Sequence, residues 1–172
     1  DKGQSCYEET AVYSAGLDDI DMNLVDDYCQ KLGCGKSSME FLTENHGYVV
    51  EKNGKLYPTV VSLLLFGKKP QDFLPRASVR FIRYEGTEEK TGAEMNVIKD
   101  VIFEGPVREQ IDKSVAFLST QIKERTYLGA DGKFVTEVEY PEFVRQEMIV
   151  NACCHRDLSI TGTDIQVKLF DD

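Results

Sequence analysis

The sequence predicts an α+β protein, in which a helical N-terminal part is followed by a sheet-and-helix domain. Apolar residues at steps of three and four mark several helices, and short runs rich in Val, Ile, Tyr and Phe between turn residues mark strands. The length of 172 residues and the 41% hydrophobic content suffice for one ordinary core or two small ones. Disordered, collagen-like and coiled-coil architectures are therefore excluded.

The first part of the chain predicts two helices, a hairpin and a third helix. A helix is expected over residues 18–33, because its first residues are aspartates, which suit a positive helix N-terminus, and a glycine ends it. A short helix over residues 38–44 and a hairpin turn at Asn53-Gly54 follow, and a proline begins the third helix, over residues 58–66. Helix, helix and hairpin in this order are typical of a winged helix.

The second part predicts strands and two longer helices. Residues 77–84 and 97–103 have the composition of two strands that pair with each other. The helix that begins at Gly105-Pro106 is the clearest of the chain, because its apolar residues fall on one stripe. This stripe consists of Val107, Ile111, Val115, Leu118 and Ile122.

A hairpin, a helix and a strand complete the predicted elements. The hairpin turns at Asp131-Gly132, the helix begins at Pro141 and reaches about Cys154, and the strand covers residues 164–170 with alternate side chains inward. These elements are expected to form an α/β subdomain with the two strands and the helix before them.

We expect three segments along the chain. Residues 1–16 form an arm or the tail of a preceding domain, residues 17–70 a helical, wing-like subdomain, and residues 71–172 the α/β subdomain. Because the chain begins with Asp and its last strand stops before a turn, we expect a fragment of a longer protein.

Charge and cysteine content narrow the class of protein. Lys and Arg number 20 against 30 Asp and Glu, and the net charge of −10 disfavours contact of the whole chain with nucleic acid or anionic membranes. No apolar run approaches the roughly 18 residues of a membrane span, so a soluble protein is expected. Five cysteines, an odd number, favour a reducing cytoplasm over a disulfide framework. Cys29 and Cys34 lack the second ligand pair that zinc requires, so we interpret them as small hydrophobic residues.

The last predicted helix carries the side chains of greatest chemical interest. Apolar residues surround most of its circumference, so we expect it to be buried. Glu147, Asn151 and His155 recur every four residues, within a sector of about 80°, and form one polar stripe. A buried carboxylate or carboxamide needs a partner, so the stripe faces water, a ligand, a cation or a polar network.

Two interpretations of the polar stripe stay open. It is either the solvent side of a half-buried helix or a site for base, metal-ligand and phosphate-contact roles. The second interpretation is favoured because Arg156 and Asp157 follow the stripe directly, and Ser159 and Gly162 come soon after.

Three segments, in the same order, resemble one bacterial protein family. Residues 147–162 resemble its Glu-x-x-x-Asn-Ala-x-x-His-Arg-Asp-Tyr-Ser segment, residues 58–71 its Leu-Leu-Leu-Phe-Gly-Lys-x-Pro-Gln stretch, and residues 103–106 its Phe-x-Gly-Pro. The family comprises predicted transcriptional regulators, often described as RecG-like ATP-dependent DNA helicases. In these proteins a Schlafen-like AlbA DNA-binding domain, once called a divergent AAA domain, precedes a region related to GHKL ATPases. The resemblance covers residues 17–172, with Leu158 where the family usually has Tyr.

The resemblance implies the first half of a GHKL-like (HATPase) fold over about residues 104–172, and with it a Mg-ATP site. In such a site Glu147 acts as the general base for the hydrolytic water, and Asn151 holds Mg²⁺ through its carbonyl oxygen. The further residues implied at the nucleotide are His155, Arg156 and Asp157. The Asp-x-Gly-x-Gly segment and the Gly-rich lid of GHKL sites are missing from the sequence. We therefore expect no bound nucleotide and no ATPase activity from this chain alone.

A second candidate site is a cluster of basic residues beside a single acidic one, Asp72. Aromatic residues are interleaved with the cluster, which consists of Lys68, Lys69, Arg76, Arg80 and Arg83. This composition predicts either contact with nucleic acid or a solvated edge strand with basic side chains.

The alternative to a nucleotide site is a binding module with a vestigial ATPase fold. In that case the polar stripe is a structural network, and the protein acts through dimerisation or DNA contact. As partners we therefore consider a second copy of the chain and DNA, bound by a preceding domain or by the basic cluster, and we expect no membrane.

Overall fold

The computed structural model of the protein describes residues 6–160 and 162–171. These residues contain both helices and strands, and the architecture is mixed α+β, as the sequence predicts. Within the same residues the strands form one three-stranded sheet and two separate hairpins, and no helix is long and apolar enough to cross a lipid bilayer.

The N-terminal part consists of three helices and one hairpin. The helices are α1 (Met22–Lys31), α2 (Ser38–Glu44) and α3 (Val60–Phe66), and the hairpin strands are β1 (Val49–Lys52) and β2 (Lys55–Pro58). Asn53 and Gly54 both have positive φ, of 54° and 73°, as a two-residue hairpin turn of type I′ requires. The predicted order of elements is therefore confirmed in this part of the chain.

Two helices begin later than predicted. The N-cap of α1 is Asp21, whose carboxylate accepts a hydrogen bond from the N–H of Asn23 at 3.0 Å, because residues 17–19 form a separate 3-10 turn. Pro58 pairs as the last residue of β2, and α3 starts only after Thr59. The Thr59 hydroxyl oxygen accepts a hydrogen bond from the N–H of Ser62 and caps α3.

The main hydrophobic core lies among the three N-terminal helices. Its fully buried members include Val25 of α1, Leu42 of α2 and Leu63 of α3. Tyr28 of α1 packs edge-on against Phe66 of α3, with ring centroids 5.5 Å apart. The three helices therefore form one packed unit.

The segment predicted to be an arm packs against this unit. The N–H of Val12 donates to the carbonyl oxygen of Pro58 at 2.9 Å, and the N–H of Val60 donates to the carbonyl oxygen of Thr10 at 3.1 Å. Residues 6–16 are thus tied to β2 and to the start of α3.

The C-terminal part contains the larger sheet, the second hairpin and the two longest helices. Its elements are β3 (Val79–Tyr84), β4 (Val97–Phe103), α4 (Val107–Ser119), β5 (Glu124–Leu128), β6 (Phe134–Val138), α5 (Glu142–Cys154) and β7 (Ile165–Leu169). Strand β3 is central, antiparallel to β4 and parallel to β7. The predicted pairing of the first two strands is confirmed.

Helix α4 packs on one face of the three-stranded sheet, and α5 packs on α4. The ring of Phe117 on α4 contacts Phe81 of β3 and Phe103 of β4, with centroids 5.1 and 5.5 Å apart. The position of α5 therefore depends on the position of α4.

Two glutamines connect the N-terminal part, the sheet and α4. Gln71 follows α3, and Gln110 lies in the first turns of α4 and is 3% exposed. The side-chain amide of each glutamine donates to the carbonyl oxygens of both Ala77 and Gly105, at 2.6 and 3.1 Å from Gln71 and at 2.9 and 2.7 Å from Gln110. The N–H of Gly105 donates in turn to Oε1 of Gln71 at 2.9 Å. We call this arrangement the glutamine bridge.

The glutamine bridge explains why α4 buries a different face from the one predicted. Gln110, Ser114 and Leu118 are its buried residues, whereas most of the predicted apolar stripe is only half-buried. Gln110 is buried because its side-chain amide donates hydrogen bonds to the carbonyl oxygens of Ala77, just before β3, and Gly105, just before α4. Apolar periodicity alone does not identify such a position.

The prediction that α5 is buried is wrong. Only Arg145 and Ile149 of this helix are buried, while Phe143 and Met148 are exposed over more than half of their surface. The physical reason is that α5 has support on one side, from α4, and that the preceding hairpin β5–β6 is exposed along both strands instead of folding over α5.

We predict that Gln110→Met lowers the free energy of unfolding by about 1–3 kcal/mol, because the side chain keeps its size but loses both hydrogen bonds to buried carbonyls. Urea denaturation followed by circular dichroism measures this change. Gln30→Met, at an exposed position of α1, is the matched control and changes stability by less than about 0.5 kcal/mol. Equal effects of the two substitutions would contradict the role of the glutamine bridge.

Candidate functional site

The polar stripe lies on the side of α5 that faces away from α4. Pro141 is the N-cap of the helix, Arg145 and Ile149 are its buried residues, and the helix packs on α4. At 100° per residue, Glu147 and Asn151 fall on the opposite side of the helix, and both are exposed. The stripe therefore faces solvent, while the helix that carries it packs on α4.

Glu147 and Asn151 contact each other directly. Nδ2 of Asn151 donates to Oε1 of Glu147 at 3.2 Å. In the part of the chain that the structure describes, no other side-chain hydrogen bond or ion pair engages either residue. This leaves Oδ1 of Asn151 and Oε2 of Glu147 available to a ligand, a cation or water.

His155 ends the stripe as the C-cap residue of α5. Its backbone N–H donates to the carbonyl oxygen of Asn151 at 2.9 Å, and its imidazole is exposed. The structure thus keeps the three predicted residues on consecutive turns of one exposed helix face, with His155 at the end where the chain leaves the helix.

Arg156 is engaged with the loop that follows α5. Its guanidinium donates to the carbonyl oxygen of Thr163 at 2.5 Å, and its side chain lines a small cavity with Ala77 and Leu158. Burial lowers the pKa of the Arg156 guanidinium, and the Asp164 carboxylate opposes this shift. Arg156 therefore holds the loop between α5 and β7.

Asp157 caps the turn after α5. Its carboxylate accepts hydrogen bonds from Oγ of Ser159 at 2.6 Å and from the N–H of Ser159 at 2.9 Å. These bonds lower the pKa of the Asp157 carboxyl group, because they favour its charged form. Of the five residues implied at a nucleotide site, the structure leaves Glu147, Asn151 and His155 open and uses Arg156 and Asp157 within the loop.

The donor chemistry of the stripe fits a magnesium ion with a nucleotide. The carboxamide oxygen of Asn151 is a hard ligand of the kind that Mg²⁺ prefers, and the carboxylate of Glu147 stands one helical turn away on the same supported helix. Glu147 and Asn151 are both exposed on this face. The larger clefts lie elsewhere, such as a groove of about 510 Å³ between α1 and α4 that is lined by Tyr28 and Phe66. The stripe therefore presents a carboxamide oxygen and a carboxylate oxygen to solvent.

The structure does not bring the five basic residues together on one surface. Arg80 and Arg83 lie three residues apart on β3, so they point to opposite faces of the sheet. Arg80 forms a two-bond ion pair with Asp100, and Arg83 pairs with Asp171 at 2.9 Å. Both arginines thus have carboxylate partners.

The two lysines and Arg76 remain exposed. Nζ of Lys68 donates to the carbonyl oxygen of Asp18 at 2.8 Å, and Lys69 precedes a short 3-10 turn. Contact of the basic residues with nucleic acid stays a prediction. The ion pairs of Arg80 and Arg83 reduce the number of basic side chains available for it.

Sequence reasoning did not identify Arg145 as a buried residue of α5. Its side chain is buried in the α5 face that contacts α4, and its Nε has no hydrogen-bond partner among the described residues. Oγ of Ser114, on the buried face of α4, also lacks a partner in the part of the chain described. The available signal was the spacing of four residues between Arg145 and Ile149, which puts the arginine on the buried face.

Comparisons with known proteins show the fold alone. No family model matches this chain, and no curated protein matches it. Among solved structures, the chain is similar to the DIP2311 protein from Corynebacterium diphtheriae, a Northeast Structural Genomics Consortium target, with a TM-score of 0.60 and 20% sequence identity. The similarity covers 97% of this chain and 32% of that protein, so the chain spans about a third of its length.

The ion pair between Arg80 and Asp100 generates a pH-dependent prediction. Arg80 holds the pKa of the Asp100 carboxyl group below its usual value of 3.8. A carboxyl group with a lowered pKa in the folded state stabilises the protein above its unfolded pKa, and this gain is lost as the pH falls through the folded value. We predict that Asp100→Asn costs up to about 1 kcal/mol at pH 7, since the pair is partly exposed, and that this cost shrinks progressively as the pH falls below 3.8.

Denaturant unfolding at several pH values measures the Asp100→Asn effect. Asp112→Asn is the matched control, because Asp112 forms a longer and more exposed pair with Arg108, at 3.8 Å. A cost for Asp100→Asn that stays constant from pH 7 to pH ~3 would contradict the assigned ion pair.

Proposed function

We propose that Glu147, Asn151 and His155 form one side of a Mg-ATP site that α5 contributes. The observation that carries the proposal is the exposed pair of Glu147 and Asn151, whose remaining oxygen atoms are free of other partners among the described residues. The similarity of residues 147–162 to the corresponding segment of the RecG-like regulators supports the same assignment.

Each residue of the pair has a distinct role in this proposal. With Nδ2 of Asn151 turned to Glu147, Oδ1 of Asn151 is the atom that binds the cation. Glu147 lies one turn away and takes a proton from the water that attacks the γ-phosphate. When bound, Mg-ATP supplies the phosphate to be cleaved and the cation that neutralises its charge.

The proposal assigns the rest of the site to residues outside the described part of this chain. The stripe lies on an open helix face, so this chain binds little nucleotide and has no hydrolytic activity by itself. A longer protein that holds the chain supplies the adenine contacts and the lid. Its setting, as the resemblance implies, is a cytoplasmic bacterial regulator of transcription.

The finer fold assignment is part of the same proposal. Residues 104–172 form the first half of a GHKL-like fold, and α1, α2 and the hairpin β1–β2 form a wing-like unit. The order of helices and hairpin supports the wing-like unit, and the packing of α4 on the three-stranded sheet with α5 on α4 supports the GHKL-like half.

Calorimetric titration with Mg-ATP tests the proposed site. We predict little binding by this chain and clear binding by a version extended past Asp172 by about one domain's length, because the extension adds the missing side of the site. In the extended protein, Asn151→Ala weakens binding at least about tenfold, and Glu147→Ala preserves binding but slows hydrolysis by about 10²–10⁴-fold. Gln146→Ala, at an exposed position of the same helix, is the control. The proposal would be overturned if the extended protein showed no binding of Mg-ATP, or if its Glu147→Ala variant hydrolysed ATP at the normal rate.

A second candidate function rests on exposed apolar side chains. They are concentrated on the hairpin β5–β6 and on α5, where the exposed fraction is 80% for Phe134, 74% for Phe143, 62% for Leu128 and 58% for Met148. An isolated two-stranded hairpin is only marginally stable in water, and large apolar patches mark interaction surfaces. The second candidate is therefore a binding module that associates with a second copy of itself through these side chains.

Sedimentation velocity over a range of concentrations tests self-association. We predict a concentration-dependent dimer that the double substitution Phe134→Ser and Phe143→Ser abolishes, because it removes the two most exposed aromatic rings of the surface. Met95→Ser removes an equally exposed apolar side chain elsewhere and leaves the dimer unchanged. A chain that stays monomeric at all concentrations would exclude the second candidate.

A further inference from the structure

The end of α1 holds two cysteines against each other. Gly33 has a φ of +67°, its N–H donates to the carbonyl oxygen of Gln30 at 3.0 Å, and the N–H of Cys34 donates to the carbonyl oxygen of Cys29 at 2.9 Å. These two hydrogen bonds and the left-handed glycine define a Schellman motif. In this motif the residues at the positions of Cys29 and Cys34 usually make a hydrophobic side-chain contact.

The two side chains pack on the same core. Cys29 belongs to the core formed by α1, α2 and α3, and Cys34 packs against it. Burial raises the pKa of the Cys29 thiol, and the nearby Cys34 thiol raises it further. The backbone motif thus fixes two thiols side by side, without help from another part of the chain.

The two thiols differ in access to solvent. Cys29 is 2% exposed, whereas Cys34 is half-buried. Of the two thiols, Cys34 is therefore the one that a small reagent reaches more readily. Among the described residues, the pair belongs to no group of three or more side chains that could hold a metal ion.

We propose that Cys29 and Cys34 form a reversible redox site, which low-molecular-weight disulfides such as glutathione disulfide oxidise to an intrachain disulfide. A disulfide requires Cα atoms less than about 7 Å apart and side chains directed toward each other, and a Schellman motif brings the side chains at these two positions together. The bridge closes the last turn of α1, whose Tyr28 packs against α2 and α3.

The oxidation proceeds by two exchange steps. The Cys34 thiol loses its proton, and the thiolate attacks one sulfur of the small disulfide. The disulfide bond breaks, and one small thiolate leaves and takes up a proton. The Cys29 thiolate then attacks the Cys34 sulfur of the mixed disulfide and expels the second small thiol. Two protein thiols are oxidised and one small disulfide is reduced to two thiols, with no net uptake or release of protons.

The test uses the full chain with the other three cysteines replaced, as Cys6→Ser, Cys153→Ala and Cys154→Ser. The protein is equilibrated with mixtures of glutathione and glutathione disulfide, quenched with acid, and weighed intact by mass spectrometry. The expected product is lighter than the starting protein by two hydrogen atoms, yields a peptide that links residues 29 and 34, and reverts with dithiothreitol. Peptide mapping of the wild-type chain gives the same readout should the triple variant not fold.

Two controls separate the folded geometry from mere proximity in sequence. Adding Cys34→Ser to the triple variant abolishes the linked peptide. The equilibrium constant for bridge formation is at least about tenfold larger in the folded chain than in urea, because the Schellman motif holds the thiols together only when α1 is formed. A folded protein that stops at the mixed disulfide, keeps both thiols free, or bridges no better than the unfolded chain would overturn the proposal.

Discussion

The glutamine bridge is the constraint on which the arrangement of the C-terminal part depends. Gln71 and Gln110 come from two different segments, and their amides converge on the same two carbonyl oxygens, those of Ala77 and Gly105. Buried carbonyl groups without partners are costly, so the start of β3, the turn before α4 and α4 itself must keep this relative placement. The sheet then fixes α4 through Phe117, and α4 in turn supports α5. The position of the candidate site on α5 therefore depends on α4, and through α4 on the glutamine bridge.

This dependence explains how an exposed helix can carry an ordered pair of functional groups. Helix α5 has a single supporting surface, which Arg145 and Ile149 occupy, and so its opposite face stays open. On that face the hydrogen bond from Asn151 to Glu147 orients both side chains and leaves one oxygen of each available. Exposed apolar side chains also lie on the hairpin β5–β6, and those of Phe143 and Met148 on α5 flank the open face itself. A nucleotide site completed by further residues and a surface for a second copy are two ways to cover it.

Sequence reasoning succeeded where the determining interactions are local. The bounds of α2, the turn at Asn53-Gly54 and the spacing of Glu147 and Asn151 all follow from neighbouring residues, and the structure has each as expected. Sequence reasoning failed where the burial of a residue depends on groups that are distant in the sequence. The burial of Gln110 depends on the carbonyl oxygen of Ala77, which lies 33 residues earlier and just before β3, and the exposure of α5 depends on a hairpin that does not fold back. The apolar periodicity of a helix shows which residues can be buried. Which of these residues are buried in the folded chain is determined by the packing of elements that are distant in the sequence.

The measurement that tests the central claim most directly is paramagnetic broadening of amide resonances by Mn-ATP in the protein extended past Asp172. Mn²⁺ replaces Mg²⁺ at oxygen ligands and broadens the signals of nuclei near it. With ATP in excess over the metal, the account predicts broadening that is centred on the side-chain amide of Asn151 and on the backbone amides of Glu147 and His155, and that Asn151→Ala removes. Broadening centred on another surface, or unchanged in the variant, would contradict the assignment of α5 to a nucleotide site.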